Sequence, residues 1–209
     1  MASRRVQLLA INPEHPEPHR IRQAVARLES GRNLVYPTDT IYGLAAAVEH
    51  RAAVERLYRL RKLDRSKPLS LVCGSLSEVS RYAIVDNECF RAMKRVLPGP
   101  YTFILRATKE APRLGQSKRR TVGIRVPAHP VAQALIGALG GPLLSTSGLG
   151  NPGAEVSDPL SLAEAYAGTE VDLVLDAGLL KGVPSTVVDW SGDEPVLIRE
   201  GAGDVAALS

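Results

Sequence analysis

Residues Asn33 to Leu71 read NLVYPTDTIYGLAAAVEHRAAVERLYRLRKLDRSKPLSL, and their order decides the fold. The apolar run Leu34-Val35-Tyr36 stops at Pro37, which has no N–H to give an interior ladder. The hydroxyl-rich turn Thr38-Asp39-Thr40 follows, with Gly43 just beyond it. Helical spacing then puts Val54, Leu57, Tyr58 and Arg61 on one face. A basic loop holding Arg59, Arg61, Lys62, Arg65 and Lys67 against Asp64 leads to Pro68, and Leu69 to Cys73 reads as a second strand. Strand, polar turn, helix, cationic loop, strand: this is a crossover unit that gathers hydroxyls and positive charge in one place. Such a place suits something small and anionic.

On the N-terminal side, residues 1 to 17 read as a short strand and a loop broken by Pro13 and Pro16. Ile21, Ala24, Val25 and Leu28 form the apolar stripe of a helix that Gly31 stops. Beyond Cys73, Ser75 to Glu78 has the form of a capping box. Asp86 caps a helix expected to turn Phe90, Met93 and Leu97 one way, and Pro98-Gly99-Pro100 ends it. Strands are expected at 101–106, 121–126 and 143–144, with a loop over 107–120 and a helix over 130–139 that His129 introduces. Ser145-Thr146-Ser147 reads as a polar turn before the glycines 148, 150 and 153. Asp158-Pro159 starts another helix, and strands at 171–175, 186–190 and 196–199 close the chain, the last two as a hairpin. The pattern predicts an α/β fold: one domain over residues 1–209, a twisted mixed sheet with flanking helices around a basic cavity.

Composition limits the function classes. With 209 residues the chain can bury one good-sized core, and 44% hydrophobic with 23% charged residues is ordinary for a globular domain. Aromatic residues at 4% argue against a stacking platform for single-stranded nucleic acid. A net charge of +4 permits an anionic partner without requiring one. No stretch has the length of a membrane span, no signal-peptide core is visible, and Cys73 and Cys89 have neither metal nor disulfide spacing. The expected location is therefore cytoplasmic. The four histidines form no ligand pattern, and neither a phosphate-binding glycine-lysine loop nor a Gly-x-Ser-x-Gly elbow occurs.

Polar groups recur where strands end. Thr38 and Thr40 follow one, Arg125 ends another, and Ser145 and Ser147 follow a third. Ser185 and Thr186 open a strand, and Arg199 closes the last before Gly201-Ala202-Gly203. In open α/β sheets ligands bind beyond strand ends, and hydroxyls with cations suit a phosphate or carboxylate. Taken singly, each Ser or Thr serves equally well as a helix cap, and each Arg as a solvated surface group.

The stretch Val35-Tyr-Pro-Thr-Asp-Thr-Ile-Tyr-Gly-Leu44 resembles the YrdC-like family of threonylcarbamoyl-AMP synthases. The resemblance continues through Lys67-Pro68-Leu69, 97–103 (LPGPYTF), 121–127 (TVGIRVP), Ser145-Thr-Ser147, Gly182-Val-Pro-Ser-Thr186 and Leu197-Ile-Arg-Glu-Gly201, covering about residues 20–203. It implies a twisted α/β fold around a positive cavity and formation of L-threonylcarbamoyladenylate and pyrophosphate from L-threonine, bicarbonate and ATP, with Mg2+, for tRNA modification. By motif it implies amino-acid contacts at Thr40, Arg125, Ser145 and Ser185, and an ATP side of Lys67, Thr121, Ser147 and Arg199, with Arg61 and Lys67 as the catalytic cations. Where the family has Lys-x-Arg-Pro this chain has Arg61-Lys62-Leu63-Asp64, and where it has Ser-x-Asn this chain has Ser147-Gly148-Leu149. Val72 stands where a histidine is common. These departures are those of the YciO branch, and they imply a slower reaction. Two alternatives use the same cations: a module for tRNA or double-stranded RNA, and an adenylylating enzyme with a different acyl substrate.

Overall fold

Alternation of side chains along strands, set against three- and four-residue spacing along helices, builds two apolar layers on one sheet. The structure is a computed structural model and describes residues 5–64, 68–148 and 157–208. Its strands are β1 (Gln7–Ala10), β2 (Asn33–Tyr36), β3 (Gly43–Ala47), β4 (Ser70–Val72) and β5 (Tyr101–Arg106), then β6 (Thr121–Arg125), β7 (Leu143–Ser147), β8 (Val171–Asp176), β9 (Thr186–Asp189) and β10 (Val196–Arg199). They form one mixed sheet in the order β1-β8-β2-β3-β7-β4-β6-β5-β9-β10. The helices are α1 (Pro18–Glu29), α2 (Arg51–Leu60), α3 (Leu76–Tyr82), α4 (Asn87–Val96), α5 (Pro130–Leu139) and α6 (Pro159–Ala165). No helix among the described residues is long and apolar enough to cross a membrane.

The two faces are covered unequally, and that positions the site. On one face α2, α3, α4 and α6 bury Val54, Leu57, Val79, Met93 and Leu162 against Val35, Leu44, Leu71, Phe103 and Ile124. On the other, α1 and α5 bury Leu28, Val131 and Leu135 against Leu34, Ala45, Leu143 and Leu173. These two helices cover the face from β1 to β7 and reach Val72 at the end of β4. On the same face, from β7 to β10, alternate residues line a cavity instead: Ser145, Ser70, Gly123, Thr102 and Val187.

Several expectations are corrected here. Gly43–Ala47 is a strand that the sequence reading left unassigned; it pairs antiparallel with β2 and β7. The crossover through α2 therefore runs from β3, not from β2, to β4, with β7 between them. Alanine favours helices intrinsically, but all five residues are buried between two partner strands, and pairing overrides propensity. Ser145–Ser147 is not a turn but the end of β7, paired with β3 throughout and, at Ser145, with Ser70 of β4. Phe90 is 46% exposed; Cys89, Ala92, Met93 and Val96 are the buried face of α4. The capping box also differs in detail, because Glu78 accepts from the Gly74 N–H at 2.9 Å rather than from Ser75.

Other local readings are found as expected. The four stripe residues of α1 are its buried residues, and Gly31 takes a positive φ of 72°. Asp86 accepts from Cys89 N–H, Asp158 accepts from Leu160 and Ser161, and His129 accepts from Val131 N–H. Cys73 and Cys89 are buried; burial raises both thiols, Cys89 to about 12, so neither is a reactive thiolate.

Asn33 ties the sheet to α2. Its fully buried amide donates to Ala45 O at 3.1 Å and Ala53 O at 3.0 Å, and its carbonyl accepts from Arg56 Nε at 2.8 Å. Asn33→Ala removes all three bonds in a dry place, with an expected loss of about 2–4 kcal/mol of unfolding free energy. Urea denaturation measures it, and a midpoint equal to the parent's contradicts this role for Asn33.

Candidate active site

Pro37 ends β2, and the chain turns at once on its own hydroxyls. Thr38 Oγ1 donates to Ile41 O at 2.6 Å and accepts from Thr40 N–H at 3.2 Å. Across the sheet, Arg125 ends β6 and bridges this turn. Its Nη2 donates to Asp39 Oδ1 at 2.7 Å, Thr40 Oγ1 at 2.6 Å and Thr38 Oγ1 at 3.1 Å. The Arg125 and Asp39 side chains are only 12% and 13% exposed, so water screens this pair poorly. The second Asp39 oxygen accepts from Ala128 N–H at 3.2 Å. Nε of Arg125 is buried without a partner among the described residues.

The cavity beside this bridge measures about 580 Å3. Tyr36 closes its inner end, donating to Ser145 Oγ at 3.1 Å; burial raises the Tyr36 hydroxyl, so it stays protonated. Gly43 is required beside them, because a Cβ there would stand 2.7 Å from the Tyr36 ring and 2.9 Å from Ser145 Oγ. Arg61, just past α2, donates from Nη2 to Ser147 Oγ at 3.1 Å. At the far wall Thr102 and Ser185 share a hydrogen bond of 2.8 Å, and Arg199 holds Ser185 O through Nε at 3.1 Å and Nη2 at 2.9 Å. Thr186 fixes the turn behind: it donates to Gly203 O and accepts from the Gly201 and Gly203 N–H groups.

Of the residues singled out from sequence, Arg61, Arg125, Ser145, Ser147, Ser185 and Arg199 line this one cavity. Thr40 lies behind the wall and meets it through Arg125. Thr121 does not line it: it opens β6 at the end remote from Arg125, and its hydroxyl is hydrogen-bonded with Ser117 Oγ at 2.6 Å. Lys67 and Leu149 lie outside the described residues. Leu63 and Val72, two of the departures, both line the cavity and make part of its wall apolar.

Sequence reasoning missed Tyr36, Ser70, Thr102 and Gly123 as cavity groups, and Asp39 as the partner of Arg125. The available signal was parity: Ser70, Thr102 and Gly123 are small or polar residues at alternate positions of otherwise apolar strands. A second cavity of about 400 Å3, beside Trp190, Arg95 and Leu197, shares none of these groups.

Three guanidinium groups and a ring of hydroxyls around one concavity suit a ligand with separated anionic ends. Comparison with known proteins gives the family. The Sua5/YciO/YrdC family model, described as "Telomere recombination", matches residues 26–201. The chain belongs to this family. It is 48% identical to the YciO protein of Escherichia coli K12 over 202 residues, 95% of this chain and 97% of that one. The crystal structure of E. coli YciO superposes with a TM-score of 0.92 at 45% identity, covering 98% and 100% of the two chains. A threonylcarbamoyl-AMP synthase of Halorhodospira halophila is 35% identical over 192 residues, 90% of this chain and 94% of that one. Sua5 of Pyrococcus abyssi, solved as a complex with L-threonine, superposes with a TM-score of 0.87 at 29% identity, over 94% of this chain and 58% of that one. The family thus includes enzymes named for adenylate synthesis, built on this fold and this sheet.

Proposed function

We propose that this Sua5/YciO/YrdC protein forms an L-threonylcarbamoyl adenylate, releasing pyrophosphate from ATP. The observation that carries the reading is the part-buried Arg125 bridge over the Thr38–Thr40 turn, in one cavity with Arg61 and Arg199. A bound carboxylate and a triphosphate would each meet a guanidinium there. In the reaction, the threonine amine and bicarbonate condense to a carbamate with loss of water, and the carbamate attacks the α-phosphorus through oxygen. That P–O bond forms as the α–β bond breaks, and the electron pair leaves with pyrophosphate. Such chemistry asks for positioning and charge neutralisation, not for a protein nucleophile. The raised, protonated tyrosine and the inert cysteines are consistent with that.

In this reading Arg125 and the turn hold the amino acid, Ser145 and Ser185 flank it, and Arg61, Ser147 and Arg199 face the phosphates. Magnesium is read here as an ion carried by the nucleotide. Among the described residues no group of three His, Cys, Asp or Glu could hold a metal, and Asp39 is committed to Arg125. When bound through phosphate oxygens and water, the ion would neutralise triphosphate charge. The product would serve tRNA modification.

Calorimetry tests the binding half. ATP–Mg2+ and L-threonine should each bind the protein, and threonine more tightly once ATP is present. Absence of heat with both ligands contradicts the reading. Leu63 gives a second check, because it presents an apolar wall where an arginine would offer paired donors. Leu63→Arg should raise the rate of pyrophosphate release by about tenfold, part of what one preorganised donor supplies. A folded Leu63→Arg variant with an unchanged or lower rate contradicts that account of the wall.

A further inference from the structure

Gly123 stands mid-strand in β6, in register with Ser70 of β4 on one side and Ile104 of β5 on the other. A strand interior disfavours glycine, so the residue needs a reason. Backbone conformation is not the reason, since Gly123 is absent from the positive-φ glycines. Packing is not the reason either. A Cβ there would meet Leu69 O and Ser70 Oγ at 3.4 Å and Ser70 Cα at 3.5 Å, ordinary contact distances. Gly148 and Gly201 differ in this respect, because their Cβ atoms would stand 2.9 Å from Tyr42 O and 2.3 Å from Pro184 O. Those two glycines are demanded by the fold. Gly123 is not. What a side chain at Gly123 would fill is the cavity, whose floor it makes with Ser70 and Ile104.

Ser70 supplies a second, independent sign. Its hydroxyl lies next to this bare floor and makes no hydrogen bond to a described residue. Arg125 lies two positions along the same strand and on the same face, a rise of about 6.6 Å. That interval suits a short polar chain, an amino acid or its carbamate, better than a flat base. We propose that Ser70 and Gly123 form a specificity contact for the ligand that Arg125 anchors. The Ser70 hydroxyl hydrogen-bonds the ligand's polar chain, and the missing side chain at 123 lets that chain lie on the sheet. This rests on the amino-acid reading of the cavity and names the two residues that set which chain fits.

The test is calorimetry of the full chain with L-threonine and, separately, ATP–Mg2+, together with thermal melts. Gly123→Val adds a β-branched side chain that the strand favours, so its melting temperature should be no lower than the parent's. Its affinity for L-threonine should fall by at least about a hundredfold, because the added methyl groups occupy the chain's place. Ser70→Ala should weaken L-threonine by about fivefold, the loss of one neutral hydrogen bond. ATP–Mg2+ should bind all these proteins alike. A Gly123→Val protein that binds L-threonine as the parent does, or that melts well below it, overturns the proposal. So does an equal loss of ATP–Mg2+ binding. A parent that binds ATP–Mg2+ but no L-threonine overturns the amino-acid reading itself, and this contact with it.

Discussion

Replacing Arg125 with lysine should cost the protein about a hundredfold in affinity for L-threonine while leaving ATP affinity nearly intact. The sequence alone suggests a simple fork for a carboxylate, but the structure assigns this guanidinium two duties. Nη2 already serves Asp39, Thr38 and Thr40. The remaining donors are the ones left for a ligand, and an arginine has five N–H groups to divide. A lysine ammonium has three and no fixed plane, so holding Asp39 leaves little for a second carboxylate. Arg125→Ala should behave differently: it strands the Asp39 carboxylate in a poorly hydrated place, at about 3–5 kcal/mol of stability. Calorimetry on the lysine variant and urea denaturation on the alanine variant separate the two duties. Normal threonine binding by a folded Arg125→Lys protein would reduce Arg125 to a structural tie.

Arg61 should show the largest effect on rate. It lies just beyond α2 with Nη2 on Ser147 Oγ at 3.1 Å, so its orientation is set before any ligand arrives. Preorganised charge is worth most where charge develops, and losing one such donor lowers kcat by roughly a hundred- to thousandfold. Arg61→Ala should therefore slow pyrophosphate release by that factor, with a melting temperature close to the parent's. Ser147→Ala, which removes this one bond and keeps the guanidinium, should cost much less. A rate in Arg61→Ala equal to the parent's would place the phosphates elsewhere.

Helix positions were legible because apolar stripes and caps are local: α5 follows His129, α6 starts at Asp158-Pro159, and Gly31 lies just past the end of α1. The alanine run of β3 was not legible, since only its neighbours β2 and β7 make it a strand. Ser145–Ser147 misled for a related reason. Hydroxyls read as a turn when the sheet that they line is unknown. The cations and hydroxyls of the site were visible as types, yet the Asp39–Arg125 pair was not, because residues so far apart in sequence meet only across the finished sheet. Thr121 shows the converse: a motif residue can spend its hydroxyl on a local turn, here on Ser117.

Coupled turnover is the most direct test of adenylate synthesis in this cavity. The purified protein is mixed with ATP–Mg2+, L-threonine and bicarbonate, and pyrophosphate is counted alongside threonylcarbamoyl-AMP by mass. The account predicts equal amounts of the two products, with neither formed when any one of the three substrates is omitted. Pyrophosphate release that is indifferent to threonine or bicarbonate, or no release from a protein shown to bind both ATP and threonine, would contradict it.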